Sequence, residues 1–167
     1  MKEAMIFACV IVVLIFILLI IRKIMINKEI NEKINKICLD NNYSILGNDK
    51  VSDFCIDANG KKIKICIVNI PKNSSVTINS RLTWCLRWGG KRVGRSYPNQ
   101  RYMNELIPFL KLEDKDVLKL VVLYKSTEKV QKYLNESEID VVKSGELVYD
   151  YKVVCFNELE EIFNDLL

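Results

Sequence analysis

Eighteen consecutive uncharged, almost wholly apolar residues, Ala4 to Ile21 (AMIFACVIVVLIFILLII), decide how the rest of this chain is deployed. As a helix rising about 1.5 Å per residue, the run spans about 27 Å, close to the hydrocarbon thickness of a bilayer. Ile24 to Ile26 extend it. No small-x-small cleavage site follows, and the Ile-Phe-Ala before Cys9 has the apolar stretch on the wrong side for a lipoprotein box. The segment therefore reads as an uncleaved anchor that engages the bilayer through residues 4–26. Arg22, Lys23 and Lys28 crowd its C-terminal side, while Lys2 is offset by Glu3. The positive-inside rule then places the N-terminus outside and residues 22–167 in the cytoplasm. The expected organisation is an anchor over 1–27, a juxtamembrane helix over 28–42 and an α/β domain over 43–167.

Charge divides the remainder. The net charge of +4 over 167 residues conceals a segment between Asp57 and Glu105 with ten cations and no carboxylate: Lys61, Lys62, Lys64, Lys72, Arg81, Arg87, Lys91, Arg92, Arg95 and Arg101. Residues 29–57 carry a net of −3, and those from Glu105 onward a net of −6. Such a block attracts phosphate on nucleic acid or on lipid head groups. The alternative is that its cations pair with the acidic flanks across strands and helices. Six cysteines stand singly, without C-x-x-C spacing, and histidine is absent. Ser-His and Cys-His nucleophiles are thereby excluded, as are His-containing zinc sites. Cysteines in apolar settings such as Ile-Cys-Leu and Ile-Cys-Ile read as buried small hydrophobes in a reducing compartment.

Periodicity outlines the domain. Ile30, Ile34, Ile37 and Cys38 form a helical stripe that continues the membrane helix as a stalk, ended by Asn41-Asn42. Tyr43 to Leu46 reads as a short strand. Val51 to Ala58 and Lys61 to Ile70 read as a hairpin joined at Asn59-Gly60, with Pro71 stopping the second run. Val76 to Trp88 alternates with period two, a third strand or a bent pair, and places Trp84 and Trp88 in register with a core face. Helices are expected over about Pro98–Leu106, from a Ser126-Thr127 cap to Leu134, and from an Asn157 cap over Glu158–Leu167; strands are expected over Leu118–Tyr124 and Ile139–Val142. The sum is a mixed α/β domain around one sheet. Gly89 to Ser96 approximates a phosphate-binding loop, but Arg95 stands where the lysine belongs and Pro98 follows, so it reads as a basic loop.

The order of elements resembles the nuclease-related (NERD) domain, a branch of the PD-(D/E)XK, restriction-endonuclease-like superfamily. The likeness covers most of residues 28–165. It rests on the entering helix, Val-Ser-Asp-Phe-Cys-Ile with Asp53, the hairpin into Ile-Lys-Ile-Cys-Ile-Val-Asn-Ile, the stretch ending at Trp84 or Trp88, Pro98 to Gln100, and Val-Val-Leu-Tyr. The resemblance implies a restriction-endonuclease-like fold, often tethered by one N-terminal helix, and a site of two acids holding Mg²⁺ with a lysine beside them. Asp53 takes the first acid's place, or is a surface acid beside the basic segment. The second acid falls near Val68 or Asn69, which carry no carboxylate, and the lysine near Ile70 or Pro71, with Lys72 available only if the strand slips by a residue. The site is thus expected to be degenerate, with no cofactor unless Asp57 or Glu105 supplies the missing acid for Mg²⁺.

Three readings follow. The first is an anchored, catalytically inactive nuclease-like domain that binds nucleic acid or another polyanion through Arg87, Lys91, Arg92, Arg95 and Arg101, with Tyr97 and Tyr102 interleaved for stacking. The same cations suit anionic lipid head groups. The second is an active Mg²⁺-dependent nuclease with a relocated carboxylate. The third is a structural membrane protein that docks a protein partner or self-associates through sheet edges.

Overall fold

The computed structural model describes residues 2–90, 97–114, 116–125, 127, 129–135 and 138–164. They form two compact units, Met1–Asp40 and Asn41–Leu167. The first is one continuous helix, α1 (Lys2–Asp40), in which the apolar run and the Ile30–Cys38 stripe share one helix. With a mean hydropathy of 3.0 and none of its apolar window buried, α1 is long and apolar enough to cross a membrane. Its stripe of Ile30, Ile34, Ile37 and Cys38 is buried, whereas Val10 to Ile21 are exposed. It ends where Asn42 takes φ 57°, a left-handed conformation that asparagine tolerates.

The second unit contains two sheets where one was expected. Eleven strands are assigned among the described residues. The first sheet, A, contains β1 (Ser44–Gly47), β2 (Phe54–Ala58), β3 (Lys61–Asn69), β7 (Val117–Tyr124), β11 (Tyr151–Cys155) and β10 (Leu147–Val148), in that spatial order. The strands β1, β2 and β3 form an antiparallel meander, and β3, β7 and β11 are parallel. The second sheet, B, runs β6 (Asn99–Tyr102), β5 (Thr83–Trp88), β4 (Ser75–Ser80), β8 (Lys129–Tyr133) and β9 (Ile139–Val142). Here β4 and β8 are parallel, and the other neighbours are antiparallel.

Local chemistry sets the joints. Asn59 and Gly60 take φ 56° and 90°, the pair of positive values a tight hairpin needs, so β2 and β3 close as their sequence predicts. Val76 to Trp88 resolves into the bent pair, β4 and β5. Val76, Ile78, Trp84, Leu86, Val130 and Val142 of sheet B meet Val68, Val121, Leu123 and Tyr151 of sheet A in one core. Full burial of each large apolar side chain contributes about 1.5–3 kcal/mol. The other face of sheet A buries Ile56, Ile63, Ile65, Leu120, Val122 and Val154. Two short helices complete the unit, α2 (Ile107–Leu110) and α3 (Leu159–Asn164).

Of three expected helices, two are corrected and the last is present. Residues 99–102 of the expected Pro98–Leu106 helix form β6, because the edge of β5 satisfies their backbone groups; a 3-10 turn at Asn104–Leu106 and α2 follow. The expected helix to Leu134 is β8, held by parallel pairing to β4 from Ser75–Lys129 to Ile78–Lys132. The last forms as α3 from Leu159, entered through a 3-10 turn, Phe156–Glu158, that contains Asn157; residues 165–167 of that expected helix lie outside the described residues.

Candidate functional site

A cleft of roughly 430 Å³ opens between the start of β2, the end of β3 and the turn after β6. Asp49, Asp53, Cys66, Val68, Asn69 and Glu105 line it. Asp53 donates its N–H to the Ile65 carbonyl at 2.8 Å, and its Oδ2 accepts the Ile67 N–H at 2.6 Å, so Asp53 bonds β3 on either side of Cys66. Glu105 arrives from the 3-10 turn with Oε1 held by Arg101 at 2.6 Å. The Cys66 thiol registers the arrangement: burial, followed by the charges of Asp53 and Glu105, pushes it up to about 12. Asp49 accepts the N–H groups of Val51 and Ser52 and pairs with Lys64 at 3.0 Å, and its carboxyl is held well below the usual range, chiefly by the Val51 N–H.

The structure thus brings Glu105 beside Asp53 and leaves the other sequence candidates outside. Asp57 is taken by the hairpin, accepting the Gly60 N–H at 2.7 Å. Lys72 is exposed in the turn before β4 and does not line the cleft, and β3 keeps an unbroken register with β7 up to Asn69. For a Mg²⁺ ion the cleft offers Asp53 and Glu105, with Asp49 already committed to Lys64. Asp53 Oδ2 and Glu105 Oε1 already accept hydrogen bonds, and no group of three or more metal-ligating side chains occurs among the described residues.

Among the described residues, three of these cations pair with acids from outside their block: Lys64 with Asp49, Arg81 with Asp150, and Arg101 with Glu105. Strand register separates Arg87 from Arg101. Arg87 pairs with Ser75 and Gln100 on the face of sheet B turned away from that core, where Ser75, Thr77 and Cys85 are also buried, whereas Arg101 pairs with core-facing Leu86 and is on the opposite face. Lys91, Arg92 and Arg95 lie outside the described residues.

A different gathering appears at the end of sheet B where β4 and β8 begin and β5 finishes. Arg87 is at that end of β5, Lys129 opens β8, Lys72 is in the turn entering β4, and Lys125 and Lys143 follow β7 and β9. Trp88 pairs with Asn99 at this same end. In these stretches the carboxylates are Glu128 and Glu146. Three buried polar atoms here have no hydrogen-bond partner among the described residues: Arg87 Nε, Ser74 Oγ and Thr127 Oγ1. Sequence reasoning missed Lys125, Lys129 and Lys143, which join this end only through long-range strand pairing.

A second cavity, of roughly 600 Å³, is lined by Arg81, Glu113, Asp114, Lys119, Tyr149 and Asp150. There Asp150 binds Arg81 and Lys119 together, and Lys119 Nζ also donates to the Leu112 carbonyl at 2.7 Å. Above it Tyr151 donates to the Arg81 carbonyl at 3.1 Å and accepts from Trp84 Nε1 at 3.3 Å, joining the two sheets. Comparison with family models, curated proteins and solved structures finds no match for the chain.

Proposed function

We propose that this is a single-pass membrane protein, N-terminus outside, whose cytoplasmic domain binds nucleic acid or another polyanion without cleaving it. One observation supports this above others: strand pairing sets Arg87 and Lys129 on either side of Ser75, and Lys72, Lys125 and Lys143 lie in the connections that enter β4 and follow β7 and β9. Clustered cations bind phosphates by releasing condensed counterions, a term that needs no sequence recognition. The site assignment shifts accordingly. Arg87 stays, Arg101 serves Glu105, and Lys129 and Lys143 join.

The test uses the full chain in zwitterionic nanodiscs and a labelled oligonucleotide. Reversing Arg87 and Lys129 to Glu weakens binding by more than about tenfold. Reversing Lys61 and Lys62, exposed at the far end of β3, changes it little. Equal losses from both pairs would leave no localised site.

The nuclease reading, with its restriction-endonuclease-like fold, draws on the β1–β2–β3 meander beside parallel β7 and on the cleft shared by Asp53 and Glu105. Glu105 is its relocated second acid. Mg²⁺-dependent plasmid cleavage abolished by Asp53→Ala would establish it in place of the binding reading.

A further inference from the structure

Two connections between the sheets share their entries and their exits. One leads from β3 into β4, the other from β7 into β8. At the entries Asn69 pairs with Tyr124, and the Ile70 N–H donates to the Tyr124 carbonyl at 3.1 Å. At the exits Ser75 pairs with Lys129. The carboxyl ends of the parallel strands β3 and β7 therefore open here, where sheets of this kind take ligands. Arg87 comes alongside from β5, opposite Ser75. Each connection also carries an unused hydroxyl close to its exit. Ser74 is fully buried, and its Oγ has no hydrogen-bond partner among the described residues. The same holds for the buried Oγ1 of Thr127 and the buried Nε of Arg87. A buried donor left unpaired costs its whole desolvation, so three in one place call for a shared acceptor. Arg87 and Thr127 are half-buried as residues and Lys72 and Asn73 are exposed, so this end is open to solvent.

From these observations we infer that the two exits and Arg87 form a recessed site for a terminal phosphate group. The Ser74 and Thr127 hydroxyls and the Arg87 Nε–H donate to its oxygens, and Lys72, Lys125 and Lys129 supply the surrounding positive charge. A phosphate monoester carries about −1.5 to −2 at pH 7, and its three free oxygens match three donors better than one water does. Recession selects the terminal group. A diester inside a nucleic-acid backbone is flanked by two sugars and meets the exposed lysines, whereas a chain end or a small phosphorylated molecule projects its phosphate past them. The group enters from the ends of the strands and not across the face of sheet B. The inference rests on the polyanion reading above for its attraction to phosphate, and it names the phosphate that is held.

The experiment titrates the full chain in zwitterionic nanodiscs calorimetrically with inorganic phosphate, with an oligo-dT bearing a phosphorylated end, and with the same oligo-dT bearing a hydroxyl end. Saturable phosphate binding is expected, with a preference of about tenfold for the phosphorylated end. The double variant Ser74→Ala, Thr127→Val weakens phosphate binding about tenfold and abolishes the preference. It binds the hydroxyl-ended probe as the wild type does, which shows that it is folded, and Thr127→Ser keeps both properties. Equal binding of the two oligonucleotides with no heat from phosphate would overturn the site and leave the polyanion reading in place. Phosphate binding that the double variant retains would also overturn it, the hydroxyls then serving a buried water. Phosphate binding lost in the double variant, with neither oligonucleotide bound, would uphold the site and make its source a small phosphorylated molecule. Binding of no probe would end both proposals.

Discussion

Asp150 holds two cations at once, and one of them is almost wholly buried. The Lys119 side chain is 2% exposed, and the Arg81 guanidinium reaches the same carboxylate. Hydrogen bonds from Arg81, and then from Lys119, hold the Asp150 carboxyl at about 2 against the opposing effect of desolvation. A depressed folded pKa means that this carboxylate stabilises the fold above its unfolded value near 4, and that the contribution is lost as pH falls toward about 2. Asp150→Ala strands the Lys119 ammonium and is expected to cost about 3 kcal/mol by urea unfolding, whereas Lys119→Met is close to neutral. In Asp150→Asn the acid-limb loss between about pH 4 and pH 2 shrinks. Equal costs for Asp150→Ala and Lys119→Met would contradict this pairing.

Cys66 offers a residue-scale test of the cleft. With its thiol pushed up to about 12, peptide-resolved alkylation at pH about 8 should run at least a hundredfold slower than in the unfolded chain. Since Asp53 and Glu105 add to the effect of burial, the double variant Asp53→Asn, Glu105→Gln should speed it severalfold. No change on neutralising the pair would mean that the two acids do not meet at Cys66.

At the scale of elements, what was legible in the sequence was local. The Asn59-Gly60 hairpin, the end of α1 at Asn41-Asn42 and the buried β7 all carry their instructions within a few residues. Gly60 at φ 90° has open space where a Cβ would stand, so Gly60→Ala should cost about 1 kcal/mol from backbone conformation alone, read as a shift in the denaturation midpoint. A much larger loss would point to packing that the turn does not show. The misread elements take their state from distant partners. Ser126-Thr127 ahead of Lys-Val-Gln-Lys-Tyr satisfies a helix-start pattern, yet parallel pairing with β4 makes that segment a strand. Strand β11 went unread for the same reason, since its pairing with β7 crosses the intervening sheet B strands. Glu105 joins Asp53 only after β6 has folded back along β5, which no spacing rule reveals.

The whole molecule combines an apolar helix suited to a bilayer with a two-sheet domain whose charges are sorted by topology. The cation-rich segment was plain in the sequence; its division was not. Lys64, Arg81 and Arg101 are held in ion pairs, while Lys72 and Arg87 share one end of sheet B with lysines from the acidic half of the chain. That sorting is what turns a compositional bias into a surface. The most direct measurement is the salt dependence of oligonucleotide binding by the full chain in zwitterionic nanodiscs. A plot of log affinity against log salt concentration should fall with a slope of about −4, and the Arg87→Glu, Lys129→Glu variant should flatten it by about 1 to 2. A slope near zero, or one that those reversals leave untouched, would contradict polyanion binding at this end of the sheet.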